Sequence, residues 1–146
     1  MIRRMCENDI PQIAELERKY FSVPWSAKSL KQSLKRPEYL FLVVEKEGEA
    51  VGYGGFFRVL EEGNITNIVI DERYRGKGLG KALVRALLEE GRHLGILAFT
   101  LEVRAGNEAA VCVYKQLGFV QEGIRKRFYE KPVEDALIMW KRFSAV

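Results

Sequence analysis

The segment that decides the fold runs from Ile68 to Lys81 and reads IVIDERYRGKGLGK. Its β-branched beginning predicts the end of a strand, and Asp71 is typical of the turn that follows. From Leu79 onward, the spacing of apolar residues predicts a helix. Three alternating glycines lie in the connection and the first helical turn, namely Gly76, Gly78 and Gly80. The pattern therefore indicates a strand that passes through a glycine-rich turn directly into a helix.

This glycine-rich turn has the chemistry of a phosphate site. A helix N-terminus leaves its first amide N–H groups unpartnered and carries positive potential, and glycine lets a phosphate approach them closely. Lys77 and Lys81 add mobile positive charge. A Walker loop is excluded because the chain has Arg75 and Ala82 where that motif needs glycine and a hydroxyl residue. A dinucleotide fingerprint is excluded because Lys81 stands where its third glycine belongs. A plain glycine-rich turn is the remaining alternative.

The composition is that of a soluble globular protein, and we expect one domain spanning residues 1–146. Of the 146 residues, 47% are hydrophobic and 30% are charged, which is enough for a core and excludes a disordered chain. No apolar run approaches the ~18 residues of a membrane span, so we expect a cytoplasmic protein with no membrane contact. Cys6, Cys112 and the single His93 do not indicate a disulfide framework, a metal site or a catalytic triad. The modest net charge of +4 does not favour nucleic-acid binding.

Outward from the glycine-rich segment, the patterns predict an α/β domain with the element order βααβββαβαββ. Upstream we expect a strand at 2–5, a helix capped by Asn8 or Asp9, a helix capped by Ser26, and strands near 41–44, 51–59 and 65–70. Downstream we expect a helix at 79–92, a strand at 98–103, a helix opened by Asn107 and a final hairpin at about 119–129 and 134–143.

The glycine-rich turn also carries the core motif of a known family. Arg75, Gly78 and Gly80 match the pattern Arg or Gln, two residues, Gly, one residue, Gly or Ala, and the chain resembles the Gcn5-related N-acetyltransferases (GNAT) over nearly its whole length. The resemblance implies the GNAT fold, a mixed, mostly antiparallel sheet flanked by about four helices. It implies acetyl-CoA as cosubstrate and no metal.

The resemblance further implies that backbone amides of the glycine-rich turn hold the cofactor's pyrophosphate, and that the strand before the turn pairs with the pantetheine arm like an extra strand. The cofactor-binding residues expected on this basis are Ile68, Val69, Ile70, Arg75, Gly76, Lys77, Gly78, Leu79, Gly80, Lys81 and Asn107.

A second block resembles one subfamily more closely. Leu101 to Ala110, followed by Tyr114, is similar to the bacterial enzymes that acetylate the N-terminal alanine of a small-subunit ribosomal protein. The segments around Trp25 and Tyr129 point the same way, whereas Gly106 stands where that subfamily commonly has serine. The resemblance implies a protein or peptide N-terminus, that of a ribosomal protein, as the acceptor. It also implies that Trp25 and Tyr129 bind this substrate.

Two residues of this block have side chains suited to acetyl transfer. An α-amine with a pKa of about 8 is mostly protonated at neutral pH and must lose a proton before it attacks a thioester. Glu102 matches the family position of the general base, and Tyr114 can return a proton to the departing thiolate. The alternatives are that Glu102 is a solvated strand residue, that Tyr114 is a core residue and that Asn107 is a simple helix N-cap.

Other functions stay open from the sequence. They are acetylation of a small-molecule amine, a noncatalytic acyl-CoA-binding module, and nucleic-acid binding through Arg75 to Lys81. The presence of both Glu102 and Tyr114 argues against the noncatalytic module. Five further glutamates could attract a cationic acceptor, although such residues are more often solvated surface: Glu17, Glu45, Glu61, Glu62 and Glu72.

Overall fold

Seven strands form one sheet in the computed structural model, which describes residues 1–143. The strands are β1 (Ile2–Arg4), β2 (Tyr39–Lys46), β3 (Glu49–Val59), β4 (Glu62–Ile70), β5 (Ala98–Arg104), β6 (Val120–Glu130) and β7 (Val133–Arg142). Their spatial order is β1-β2-β3-β4-β5-β7-β6. Only the pair β4–β5 is parallel among the pairs of these described strands. The predicted mixed, mostly antiparallel sheet is confirmed.

Within residues 1–143, four α-helices complete the predicted order βααβββαβαββ, which is also confirmed. They are α1 (Ile10–Tyr20), α2 (Ala27–Leu34), α3 (Leu79–His93) and α4 (Glu108–Gln116). Ser26 caps α2 as predicted, because its Oγ accepts a hydrogen bond from the Ser29 N–H at 3.1 Å. Asp9 precedes α1 as predicted, but its carboxylate accepts hydrogen bonds from Arg3 instead of the helix amides, which lowers the pKa of Asp9 to about 2. No helix within residues 1–143 is both long and apolar enough to cross a bilayer.

Helices pack on both faces of the sheet at β2 and β3, so these two strands are buried on both sides. Successive residues of β2 belong to different cores: Leu42 packs in the cluster that includes Leu83 of α3, whereas Phe41 packs in the cluster that includes Ile13 of α1 and Leu30 of α2. A strand covered on both faces has no polar face to alternate with its apolar one. This explains why the sequence of β2 is a continuous apolar run.

The strands β4 and β5 lie side by side only where they begin. Their pairing covers Glu62–Asn64 and Ala98–Thr100. Beyond it, β4 stays paired with β3 up to Ile70, while β5 stays paired with β7 up to Arg104. The pairing of β4 with β3 also shifts between Ile65 and Ile68, where β4 has one residue more than β3. The sheet therefore splits after the beginnings of β4 and β5, and a gap opens between them.

Candidate active site

The gap between β4 and β5 leads into a cavity of about 760 Å³. It is lined by residues 19–23, 66–68, 102–104 and 128–132, together with Asn107, Ala110 and Tyr114. These segments come from α1 and its connection to α2, from β4 and β5, from α4 and from the β6–β7 hairpin. The fold thus brings together five residues singled out from the sequence: Ile68, Glu102, Asn107, Tyr114 and Tyr129.

Glu102 presents its carboxylate to this cavity. Its neighbours Leu101 and Val103 are buried, so the alternation of β5 turns Glu102 to the opposite face of the strand, where its side chain is 32% exposed. Arg125 of β6 forms an ion pair with it, with 3.5 Å between Arg125 Nε and Glu102 Oε1. The carboxylate is accessible to a cationic group that enters the cavity, and it can accept a proton there.

Tyr114 is both a core residue and a cavity residue. The residue is 7% exposed, and its ring packs edge-on against the Phe119 ring, with 5.7 Å between the ring centroids. The Tyr114 hydroxyl has no hydrogen-bond partner within residues 1–143. Every fully buried polar side-chain atom in these residues has a partner, so this hydroxyl is not fully buried. Because Tyr114 lines the cavity, its hydroxyl reaches the cavity space. Burial is the main cause that raises the pKa of Tyr114 well above its ordinary value, and the nearby Tyr129 raises it further. The phenol is therefore a hydrogen-bond donor that keeps its proton at neutral pH.

Asn107 and Tyr129 lie at the edges of the cavity. Asn107 caps α4, since its Oδ1 accepts a hydrogen bond from the Ala110 N–H at 3.2 Å. Asn107 lines the cavity, and its NH₂ group has no hydrogen-bond partner within residues 1–143. The Tyr129 ring lies 4.3 Å from the Arg104 guanidinium carbon, measured to the ring centroid. Burial is the main cause that raises the pKa of Tyr129, and the charge of Glu102 is the second.

Trp25 does not line the cavity. Its ring packs edge-on against Tyr39 and Phe41, with centroid distances of 6.1 and 6.0 Å. Its backbone N–H donates to Glu17 Oε1 at 2.8 Å. The residues that line the cavity from this part of the chain are 19–23, which precede Trp25. The structure thus gives Trp25 a packing role beside the cavity.

Arg104 is a cavity residue that the sequence reasoning missed. Its guanidinium donates to the Pro132 carbonyl at 3.0 Å and contacts the Ser22 hydroxyl at 3.4 Å, so it connects two walls of the cavity. It also forms an ion pair with Glu134 at 3.2 Å. Glu134 in turn accepts a hydrogen bond from the Gly106 N–H at 2.6 Å, and a Cβ at Gly106 would lie 2.6 Å from the same oxygen. Glycine at position 106 thus lets Glu134 approach the backbone.

The glycine-rich turn has the geometry of an open anion site. Gly76 and Gly78 have φ values of +78° and +77°, and a Cβ at either position would meet no atom within 4 Å. Gly78 is the N-cap residue of α3, and no side chain of the described residues accepts a hydrogen bond at the cap position, so the first-turn amides of α3 stay available as donors. Gly80 differs, because a Cβ there would make an ordinary 3.8 Å contact with Ile70. Space and donors at this turn fit a pyrophosphate group.

Arg75 fixes this turn to the end of β4. Its Nε donates to the Ile70 carbonyl at 2.9 Å, and its guanidinium lies 4.6 Å from the centroid of the Tyr20 ring. The side chain is thus directed to β4, and only the backbone of Arg75 belongs to the turn.

The backbone of β4 has hydrogen-bonding groups that face the gap. The Asp71 N–H donates to the Val51 carbonyl of β3 at 2.7 Å. Backbone groups alternate in direction along a strand, so those of Val69 also face β3, whereas those of Ile68 and Ile70 face away from it. The Ile70 carbonyl is occupied by Arg75. The Ile68 backbone and the Ile70 N–H fit an extended chain laid along β4, as the pantetheine arm of CoA would be.

Comparison with known proteins identifies the family of this chain. The acetyltransferase (GNAT) family matches residues 10–119. The [ribosomal protein bS18]-alanine N-acetyltransferase of Escherichia coli (strain K12) is 35% identical over 133 residues, which are 90% of this chain and 89% of that protein. A Bacillus subtilis (strain 168) protein, whose assignment to the same activity is provisional, is 39% identical over 140 residues, or 95% of this chain and 93% of its own.

The similarity extends to three-dimensional structure. The crystal structure of the Escherichia coli ribosomal-protein-S18-alanine N-acetyltransferase has a TM-score of 0.90 and 32% sequence identity to this chain. The match covers 100% of this chain and 95% of that one. The chain therefore belongs to the acetyltransferase (GNAT) family, and it is an N-acetyltransferase that takes the acetyl group from acetyl-CoA.

Proposed function

We propose that this protein acetylates the α-amine of a protein N-terminus, and that its acceptor is the N-terminal alanine of a ribosomal protein. The observation that carries the proposal is the cavity between β4 and β5, where Glu102, Tyr114 and Tyr129 face one space. This cavity lies beside the backbone groups of Ile68 and Ile70 on β4, which face away from β3. The relatives named for this activity, which align with 90% of the chain or more, support the same acceptor.

The side of the site that binds acetyl-CoA is built mainly from backbone groups. The amides from Gly76 to Gly80 would hold the pyrophosphate, with Lys77 and Lys81 adding positive charge. The backbone of Ile68 and Ile70 and the Asn107 NH₂ group would bind the pantetheine arm. Acetyl-CoA supplies an acetyl group already activated as a thioester. The protein therefore needs only to orient the two substrates, to remove a proton from the amine and to stabilise the leaving thiolate.

The acceptor side depends on Glu102. A carboxylate in the cavity attracts the ammonium form of an N-terminus and accepts one of its protons, directly or through one water. Arg125 competes for the same carboxylate, but its contact of 3.5 Å is long for a charge-assisted hydrogen bond and its side chain is 57% exposed. An incoming amine can thus displace Arg125 into solvent at little cost. Tyr129, whose ring lines the cavity, would contact the first residues of the acceptor.

Tyr114 would act on the leaving group. A thiolate has a pKa of about 8.5, which is far below that of a buried phenol, so complete proton transfer from Tyr114 is unfavourable. A hydrogen bond from the neutral phenol to the developing thiolate is favourable, because it stabilises charge at the moment it forms. The raised pKa of Tyr114 therefore favours hydrogen-bond donation over the proton transfer expected from the sequence.

The first prediction concerns the acceptor. A peptide with a free N-terminal alanine and an internal arginine is expected to react about a hundredfold faster at pH 7 than the same peptide with a blocked N-terminus and an internal lysine. The α-amine titrates near 8 and the lysine near 10.4, so the neutral nucleophile is about two orders of magnitude scarcer for lysine. The rates are measured with labelled acetyl-CoA. Equal rates would show that the α-amine assignment is wrong, although the acetyltransferase activity would stand.

The second prediction concerns Tyr114→Phe. We expect kcat to fall about 10- to 100-fold, the value of one hydrogen bond to a charged group, with the KM for acetyl-CoA changed less than about threefold. Because burial raises the pKa of Tyr114, the phenol stays protonated and the ratio of wild-type to variant kcat should stay constant from pH 7 to pH 10. A ratio that falls towards one in this range would mean that the phenol ionises there, contrary to the structure.

A further inference from the structure

Glu17 is a buried carboxylate that faces only hydrogen-bond donors. It lies on α1, is 0% exposed and forms no ion pair within residues 1–143. Its oxygens accept hydrogen bonds from the Tyr53 hydroxyl at 2.6 Å, from the Trp25 N–H at 2.8 Å and from the Asn67 NH₂ group at 2.9 and 3.0 Å. An ionised carboxylate can only accept hydrogen bonds, and these donors compensate for its burial. The solvated role expected for Glu17 from the sequence is wrong.

This carboxylate fixes the orientation of the Asn67 amide. Both contacts with Glu17 come from Asn67 Nδ2, and the opposite orientation would turn the amide oxygen against a buried anion. Asn67 lies at the bulge of β4 and lines the cavity. Its Oδ1 has no hydrogen-bond partner in residues 1–143. Every fully buried polar side-chain atom in these residues has a partner, so this oxygen is not fully buried. The amide oxygen is therefore an unpaired acceptor that faces the cavity.

We propose that Asn67 binds the acetyl acceptor and that Glu17 positions the Asn67 side chain. The Asn67 oxygen accepts a hydrogen bond from an N–H group at the amino terminus of the acceptor, and the buried negative charge of Glu17 keeps that oxygen directed at the cavity. Asn67 lies on β4, across the gap from Glu102 on β5, so the two residues would contact the acceptor from opposite walls. This inference rests on the proposed function, because it assumes an acceptor with N–H groups at its end.

Three variants test the proposal. Asn67→Leu removes the amide oxygen at similar volume, and we expect the KM for an alanine-initiated peptide to rise about tenfold, the value of one hydrogen bond. Glu17→Gln keeps the shape of the side chain but allows the Asn67 amide to rotate by about 180°, which exchanges its oxygen and its NH₂ group. We expect the KM for the peptide to rise in this variant too. For both variants, kcat and the KM for acetyl-CoA should change less than about twofold, since the hydrogen bond that each variant loses at the cavity binds the acetyl acceptor and contacts neither acetyl-CoA nor the reacting atoms. Binding of the peptide to the CoA-saturated protein, measured by calorimetry, should weaken by the same factor as KM.

Tyr53→Phe is the matched control. The Tyr53 hydroxyl is a donor to the same carboxylate, but Tyr53 is 1% exposed and does not line the cavity. This variant should lower Tm and leave the peptide KM unchanged. An unchanged peptide KM in Asn67→Leu, or a rise in all three variants that follows their losses of Tm, would overturn the proposal. If the wild-type protein acetylates another kind of amine instead, the proposed function is wrong, and the same three variants are compared with that amine under the same criteria.

Discussion

Replacing Glu102 with glutamine is expected to lower kcat/KM for an N-terminal α-amine peptide by about 10²- to 10⁴-fold, the usual contribution of a general base. The amide keeps the size of the side chain and its position on β5 but cannot take a proton from the acceptor. The loss should grow as the pH falls below the pKa of the amine, about 8, because the variant then depends on an ever smaller neutral fraction. Measuring kcat/KM from pH 6 to pH 9 for both proteins tests this dependence.

The control for Glu102→Gln is Glu130→Gln. Glu130 also lines the cavity, and its replacement removes the same amount of negative charge without removing the proposed base. If Glu102 only attracted the cationic acceptor, the two variants would lose similar activity and both losses would shrink at high salt. We expect Glu130→Gln to stay within about threefold of the wild type, the size of a weak surface electrostatic effect. A loss under threefold in Glu102→Gln itself would exclude general-base catalysis by this residue.

The fold could be predicted from the sequence because its strongest signals are local. The three alternating glycines and the β-branched run before them define the β4–turn–α3 unit, and Gly76 and Gly78 have the positive φ values that only glycine adopts easily. The cap at Ser26 acts within one helical turn, so its signal lies within a few residues. Such short-range signals place elements along the chain. They do not reveal which elements meet in space.

The walls of the cavity could not be predicted because they depend on long-range contacts. Arg104 contacts Ser22 and Pro132, which are 82 and 28 residues away in the sequence. The position of Trp25 beside the cavity rather than in it depends on its packing against Tyr39 and Phe41. Resemblance to a subfamily identified the segment around Trp25, but only the packing shows which residues of that segment line the cavity.

Glu17 did have a signal in the sequence. It follows Ile10 by seven residues and Ile13 by four, so helical spacing places it on the apolar face of α1. A charged residue on such a face is either solvated at the edge or buried with partners. Its partners Tyr53 and Asn67 come from β3 and β4, so only the folded chain distinguishes these two cases.

The glycine-rich turn provides the other large predicted effect. Gly78→Val is expected to raise the Kd for acetyl-CoA about a hundredfold, because the side chain would fill the space in which a phosphate approaches the α3 amides. Losing two charge-assisted hydrogen bonds costs about 3 kcal/mol, which corresponds to that factor. The variant must also adopt a left-handed backbone conformation, which costs about 1–2 kcal/mol of stability for a residue with a Cβ. Affinity is measured by calorimetry, and stability by thermal unfolding.

Gly48→Val separates the two effects. Gly48, in the β2–β3 turn, has a φ of +79° against +77° for Gly78, and a Cβ at either position would meet no atom within 4 Å. The backbone strain of the two variants should therefore be alike, and their losses of Tm should be similar. Only Gly78→Val changes the turn that would hold the pyrophosphate, so only that variant should lose affinity for acetyl-CoA. If both variants bind acetyl-CoA as the wild type does, the turn does not hold the phosphates. If both lose affinity equally, the loss reflects destabilisation and the open space at Gly78 has no special function.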